Sequence, residues 1–170
     1  MKTVLDISRY SRQSLLYLLA IFTSTSYGSA SASEKQGFLT ENVVVFSDED
    51  TEEAAKEHPM IGLQAPYWEP TTSDMKSIKA ALSAYLRLHR RDLGSDVTER
   101  LDEYRLQLLG YSDGGAKFVL VNGFCKSFWG SHPSWKDSLV FVLDGGSCLF
   151  HASYGIQGSK IVRFEVNRDP

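Results

Sequence analysis

Cysteine is scarce in this chain: Cys125 and Cys148 are the only two among 170 residues. They form no Cys-x-x-Cys pair, which excludes the close dithiol of a thioredoxin-like redox enzyme. No cysteine stands near residues 28–32 to carry a lipid anchor at a processed N-terminus. His58, His89, His132 and His151 are widely separated and make no zinc-ligand spacing with the cysteines. Long apolar runs are lacking too. Leu15–Phe22 spans eight residues, far short of the roughly 20 that cross a bilayer. The acidic stretch 47–57 lacks the spaced ligands and central glycine of a calcium loop. Ser147 has no Gly-x-Ser-x-Gly setting, and neither Asp-Gly-Gly turn completes a phosphate-loop pattern. The carboxylates are too numerous and unspecific to mark a glycosidase pair. No metal or cofactor is expected.

What is present begins with an export signature. Lys2, Arg9 and Arg12 precede the apolar core Leu15–Phe22, and small residues follow to Ala30-Ser31-Ala32. This order reads as a cleavable signal peptide over residues 1–32, with Gly28 an alternative cleavage point. An uncleaved anchor is the competing reading. Removing residues 1–32 takes the formal charge from -3 to -5. A moderately acidic domain argues against a general nucleic-acid binder. The remaining length suffices for one substantial core. Localisation is therefore expected to be secreted or periplasmic. In that oxidising setting Cys125 and Cys148 favour a single disulfide over two separate buried thiols. Cysteine catalysis, with Cys125 beside His132, would need both sulfurs free.

Residues 33–70 read as a mobile N-terminal segment and a lead-in punctuated by Pro59, Pro66 and Pro70. Within it Val43–Phe46 suits an edge strand, and Ser47–Glu57 suits an acidic loop or surface helix. The clearest helix follows Pro70. Thr71 or Thr72 caps it, Asp74 lies in its first turn, and Met75, Ile78, Leu82, Tyr85 and His89 share one stripe. That pattern predicts a helix over roughly residues 73–89. The period then changes to two. Strand-like runs occur at 105–111, 117–121, 139–143, 148–154 and 161–166, with glycine-bearing turns at 112–115, 144–147 and 155–158. Residues 71–170 thus predict a single α+β domain: one main helix on a four- or five-stranded antiparallel sheet, its other face wet or open to a ligand.

Aromatic residues gather near the loops. Tyr67, Trp68, Trp129 and Trp135 are the candidate binding patch, since rigid rings give strong, geometrically specific contacts. The competing reading has these rings sealing one end of the core.

The helix-then-sheet order is similar to cystatin-like domains. Tyr104, Gln107, Gly110, the run Val121-Asn122-Gly123-Phe124-Cys125, the run from Val142 to Phe150, and Tyr154 resemble secreted bacterial proteins without an assigned reaction. The resemblance covers about the last 100 residues and implies a cystatin-like helix-and-sheet arrangement. Cystatins wedge a Gln-x-Val-x-Gly loop into papain-like proteases; here Gln107-Leu108-Leu109-Gly110 departs from that pattern, and Pro133-Ser134-Trp135 only loosely matches the second inhibitory loop. The expected function is a secreted, non-enzymatic binding or accessory protein for a protein or peptide partner. A small hydrolase with a tertiary pocket, or a cysteine protease inhibitor, are the alternatives.

Overall fold

A computed structural model describes residues 41–93, 95–142 and 146–167, without the side chains of Asp92, Leu93, Ser95, Asp96, Lys126 and Trp129. Residues 1–32, read above as a signal peptide, residues 33–40, and Leu143, Asp144 and Gly145 lie outside the described residues. The fold is α+β. Its strands are β1 (Val43–Val45), β2 (Tyr104–Asp113), β3 (Ala116–Cys125), β4 (Leu149–Gly155) and β5 (Lys160–Val166). Its α-helices are α1 (Asp48–Glu57), α2 (Thr72–Leu88), α3 (Arg90–Leu93) and α4 (Ser95–Glu99).

The main helix forms where cap and periodicity coincide. Thr71 is the N-cap: its hydroxyl accepts from the Asp74 amide at 3.2 Å, and Asp74 Oδ2 accepts from the Thr71 amide at 2.8 Å. Such a reciprocal box satisfies donors that the first helical turn leaves unpaired. Met75, Ile78, Leu82 and Leu86 are buried along one stripe of α2. Fully burying a side chain such as Ile78 or Leu82 contributes about 2 kcal/mol. Tyr85 and His89 sit at the flank, their rings stacked at 4.2 Å, and Tyr85 also stacks on Phe164 of β5 at 5.4 Å.

The sheet runs in sequence order from β1 to β5. From β2 to β5 every pairing is antiparallel. Gly114 and Gly115, both at positive φ, make the turn from β2 into β3, a backbone region that glycine enters without a Cβ clash. The expectation of a wholly antiparallel sheet is corrected at one edge. β1 pairs with β2 in parallel, Val43 opposite Leu106, because all four α-helices lie between them in the chain. A long crossover of this kind brings the second strand back in the same direction.

Three further expectations change. The sequence places residues 33–70 outside the α+β domain, yet residues 43–70 supply β1, α1 and a bridge between Trp68 and Gly110. Residues 139–142 form no strand. They cross the sheet instead, burying Leu139 and Val140. Nor is the sheet's second face simply wet. α2 covers one face, over Leu106, Leu108, Val119, Val121, Phe150 and Ala152. On the opposite face, α1 and the 132–142 loop cover Leu109, Leu120 and Phe124. Only part of that second face stays open, toward β4 and β5.

Candidate functional site

Strand alternation decides which side chains can meet. On β2, Gln107, Leu109 and Tyr111 point to the second face, and the register places Asn122 opposite Gln107 and His151 opposite Asn122. Gln107 and Asn122 are both buried polar residues, which must find partners. Gln107 Nε2 donates to the carbonyls of Trp135 at 2.6 Å and Ser138 at 2.8 Å, and its Oε1 accepts from the Val140 amide at 2.9 Å. Asn122 Nδ2 donates to the Val140 carbonyl at 2.8 Å. Asn167 Nδ2 donates to the Val142 carbonyl at 2.8 Å. Side-chain amides thus replace a strand ladder and pin the loop that carries Phe141.

The pinned loop walls a groove of about 330 Å³ on the second face. Met60, Ile61 and Leu63 form one apolar side and Phe141 another; His151, Ser153, Arg163 and Glu165 form the polar floor. Phe141 stands between two imidazoles, 5.2 Å from the His58 ring and 5.9 Å from the nearly parallel His151 ring. His151 is opposite Glu165, and Ser153 is opposite Arg163. The Tyr111 hydroxyl donates to Ser153 Oγ at 3.2 Å. Arg163 forms an ion pair with Glu165 at 2.6 Å. Burial holds the His151 imidazole below its ordinary value of 6.5; nearby Glu165 opposes that shift and Arg163 adds to it. The groove therefore offers a neutral imidazole, a guanidinium, carboxylates and hydroxyls beside a flat apolar wall. Pockets of this size with a few convergent polar groups suit small ligands or short peptide segments.

A larger cavity, of about 630 Å³, lies beside β1 and α2, lined by Val43, Lys79, Leu82, Glu99 and Tyr104. The second-face groove, where an imidazole, a guanidinium, carboxylates and hydroxyls converge, is the candidate site.

The aromatic residues named from the sequence do not gather there. Trp135 is buried on the second face, edge-on to Phe124 at 5.9 Å, with the Arg105 guanidinium 4.7 Å above its ring. Trp68 packs on the α2 face, over Gly110. Its Nε1 donates to the Tyr111 carbonyl at 3.0 Å, and Lys117 Nζ lies 4.7 Å over its ring. Trp68 and Trp135 are thus on opposite sides of the sheet. The half-buried Tyr67 donates its hydroxyl to the Leu63 carbonyl at 3.3 Å. The Trp129 side chain lies outside the described residues. His132 stacks on Phe128 at 6.3 Å.

Cys125 and Cys148 are joined in a disulfide. It ties the end of β3 to the start of β4 across a separation of 23 residues, closing the loop that contains Phe141. The sulfurs are therefore structural here. The groove residues His151, Ser153, Arg163 and Glu165 were reachable from sequence only through the alternation of β4 and β5, a signal that every half-buried strand gives. No protein-family model matches this chain, and no match is found among curated proteins or solved structures.

Proposed function

We propose that the protein is a secreted, non-enzymatic binding or accessory protein that holds a peptide segment in its second-face groove. The observation that carries this reading is the groove itself: Phe141 and the Met60–Leu63 turn oppose the polar row of His151, Ser153, Arg163 and Glu165. Apolar walls supply contact area, and the charged row supplies orientation. The disulfide and the absence, among the described residues, of a helix long and apolar enough to cross a membrane are compatible with export. The order of α2 followed by the β2–β5 meander supports a cystatin-like arrangement. The inhibitory use of that arrangement gains no support, because Gln107 is fully buried and engaged with the 132–142 loop. It is not offered to a protease.

A second reading is a small hydrolase in the same groove. It rests on Ser153, His151 and Glu165 lying on neighbouring positions of β4 and β5. Against it, Ser153 Oγ is engaged by Tyr111 and makes no hydrogen bond with His151 among the described residues. A serine nucleophile needs a base within hydrogen-bond reach.

The deciding experiment is an NMR titration of the isotope-labelled mature protein with a panel of short peptides. Shifts confined to Phe141, His151, Ser153, Arg163 and Glu165, lost in Arg163→Ala with the fold intact, are expected. Shifts elsewhere, or none across the panel, would overturn the binding reading. Labelling of Ser153 by a fluorophosphonate probe would establish the hydrolase instead.

A further inference from the structure

β5 closes the sheet on one side, and its outer backbone row has no partner among the described residues. The direction of that row follows from one hydrogen bond. The Asn167 amide donates to the Leu149 carbonyl at 3.0 Å. Along an antiparallel pair such bonding alternates residue by residue. Asn167, Glu165 and Arg163 therefore turn their backbone groups toward β4, while Val166 and Phe164 turn theirs outward, over the regular register that ends at Arg163. β1, at the other edge, is only three residues long. The β5 edge is the longer template for a further strand.

We infer that β5 pairs with β5 of a second copy of this chain, antiparallel and centred on Phe164. Self-complementary charge selects this occupant and this register. With Phe164 opposite Phe164 of the second copy, Arg163 faces the other Glu165, and Glu165 faces the other Arg163. Val162 faces the other Val166. Moving the centre to Arg163 sets two guanidiniums against each other; moving it to Glu165 does the same to two carboxylates. Like charges directly opposed across strands are destabilising, and opposite charges are stabilising. A slip that breaks the outward row's alternation turns bonding groups away from the partner. The chosen register also places Arg163 and Glu165 at a non-hydrogen-bonded cross-strand position, where side chains approach most closely.

The α2 side of the strand agrees. Phe164 stacks on Phe150 at 5.1 Å, and across the two-fold axis the row continues into the second Phe164. Val162 is 50% exposed, and Leu88, one turn beyond Tyr85 on α2, is 79% exposed. A β-bulge between Ser153 and Tyr154 leaves Val162 as the extra residue on β5. The bulge bends the strand before Arg163, so the pairing length is short and the dimer is expected to be weak and concentration-dependent. The symmetry is isologous and closed, so the edge pairs once and does not propagate into a filament.

Sedimentation velocity of the mature protein over a concentration series tests this with three variants: Arg163→Glu, Glu165→Arg, and the double exchange Arg163→Glu/Glu165→Arg. Wild type is expected to shift from monomer to dimer. Each single variant turns two attractive cross-strand pairs into repulsive ones and is expected to raise the dissociation constant about tenfold. The double exchange restores opposite charges and should restore the dimer. Circular dichroism confirms that these exposed substitutions leave the fold in place. A wild type that stays monomeric throughout, a dimer unmoved by either single variant, or a double exchange that fails to recover association each overturns the inference. Hydrogen exchange supplies an independent reading: the Phe164 and Val166 amides should gain protection with concentration, while Arg163 and Glu165 amides are protected at every concentration.

Discussion

The side-chain amide of Asn122 donates to Gln107 Oε1 at 2.7 Å, deep in the sheet's second face. Both residues are held at directly opposed positions of β2 and β3. Together they bond four backbone groups of the 132–142 loop. A pair of amides thus does for this loop what a sixth strand would do. Their hydrogen bonds are worth little net while made, but each buried group left without a partner costs about 1–3 kcal/mol.

Gln107→Leu keeps much of the side-chain volume and removes those bonds. It should strand the Val140 amide and the Trp135 and Ser138 carbonyls, lowering stability by about 3 kcal/mol or more. Urea unfolding reads the loss. A change below about 1 kcal/mol would show that the loop finds other partners.

Gly110 lies under Trp68. A Cβ there would sit 2.1 Å from the Trp68 carbonyl oxygen and within 3 Å of its indole ring. Gly110→Ala should therefore dislodge the Trp68 bridge. We expect a lower melting temperature and a shifted indole fluorescence, with backbone rather than a yielding side chain in the way. Unchanged fluorescence and melting temperature would contradict the close approach.

The disulfide closes a loop of moderate length, and its removal should cost about 3 kcal/mol through the unfolded chain. Cys125→Ala/Cys148→Ala tests this by denaturant unfolding. Before reduction, neither cysteine should take up an alkylating label; uptake of two labels by the native protein would show that the bond does not form in the cell.

His151 gives the stability a pH dependence of definite sign. Burial lowers its folded-state value below 6.5, so the unfolded chain binds its proton more readily. Stability should thus be full above 6.5, decline as pH falls through the interval between the unfolded and folded values, and level off below it. Glu165 opposite the ring and Arg163 beside it set the size of the effect, with Asp113 also on the groove. His151→Phe keeps a ring against Phe141 and should flatten this part of the melting-temperature profile. An unaltered profile would assign the dependence to another group.

Much of the fold could be read in the sequence because its signals were local. Thr71, Asp74 and the Met75–Leu86 stripe carry a cap and a helical period within one segment. The Asp113-Gly114-Gly115 turn lies directly between its two strands. The direction of β1 was not readable, since it depends on the long helical crossover between β1 and β2. Leu139–Leu143 reads as a strand because apolar alternation records burial alone, and the groups that satisfy residues 139–142 sit far away on Gln107, Asn122 and Asn167. The site was least readable. Tyr111, His151, Ser153, Arg163 and Glu165 converge only through cross-strand register, and Trp68 and Trp135 separate by the side of the sheet each one meets.

The parallel pairing of β1 also bears on the order of assembly. β2 finds β3 through a two-residue turn, and β4 finds β5 nearly as locally, whereas Val43 meets Leu106 only after α1 and α2 have been brought into one closed loop. Contacts that close long loops form late and slowly. With three residues and one neighbouring strand, β1 is also the strand with least to lose on opening. Local unfolding of the sheet should begin there, exposing Val43 and Leu106 while the β2–β5 meander stays intact.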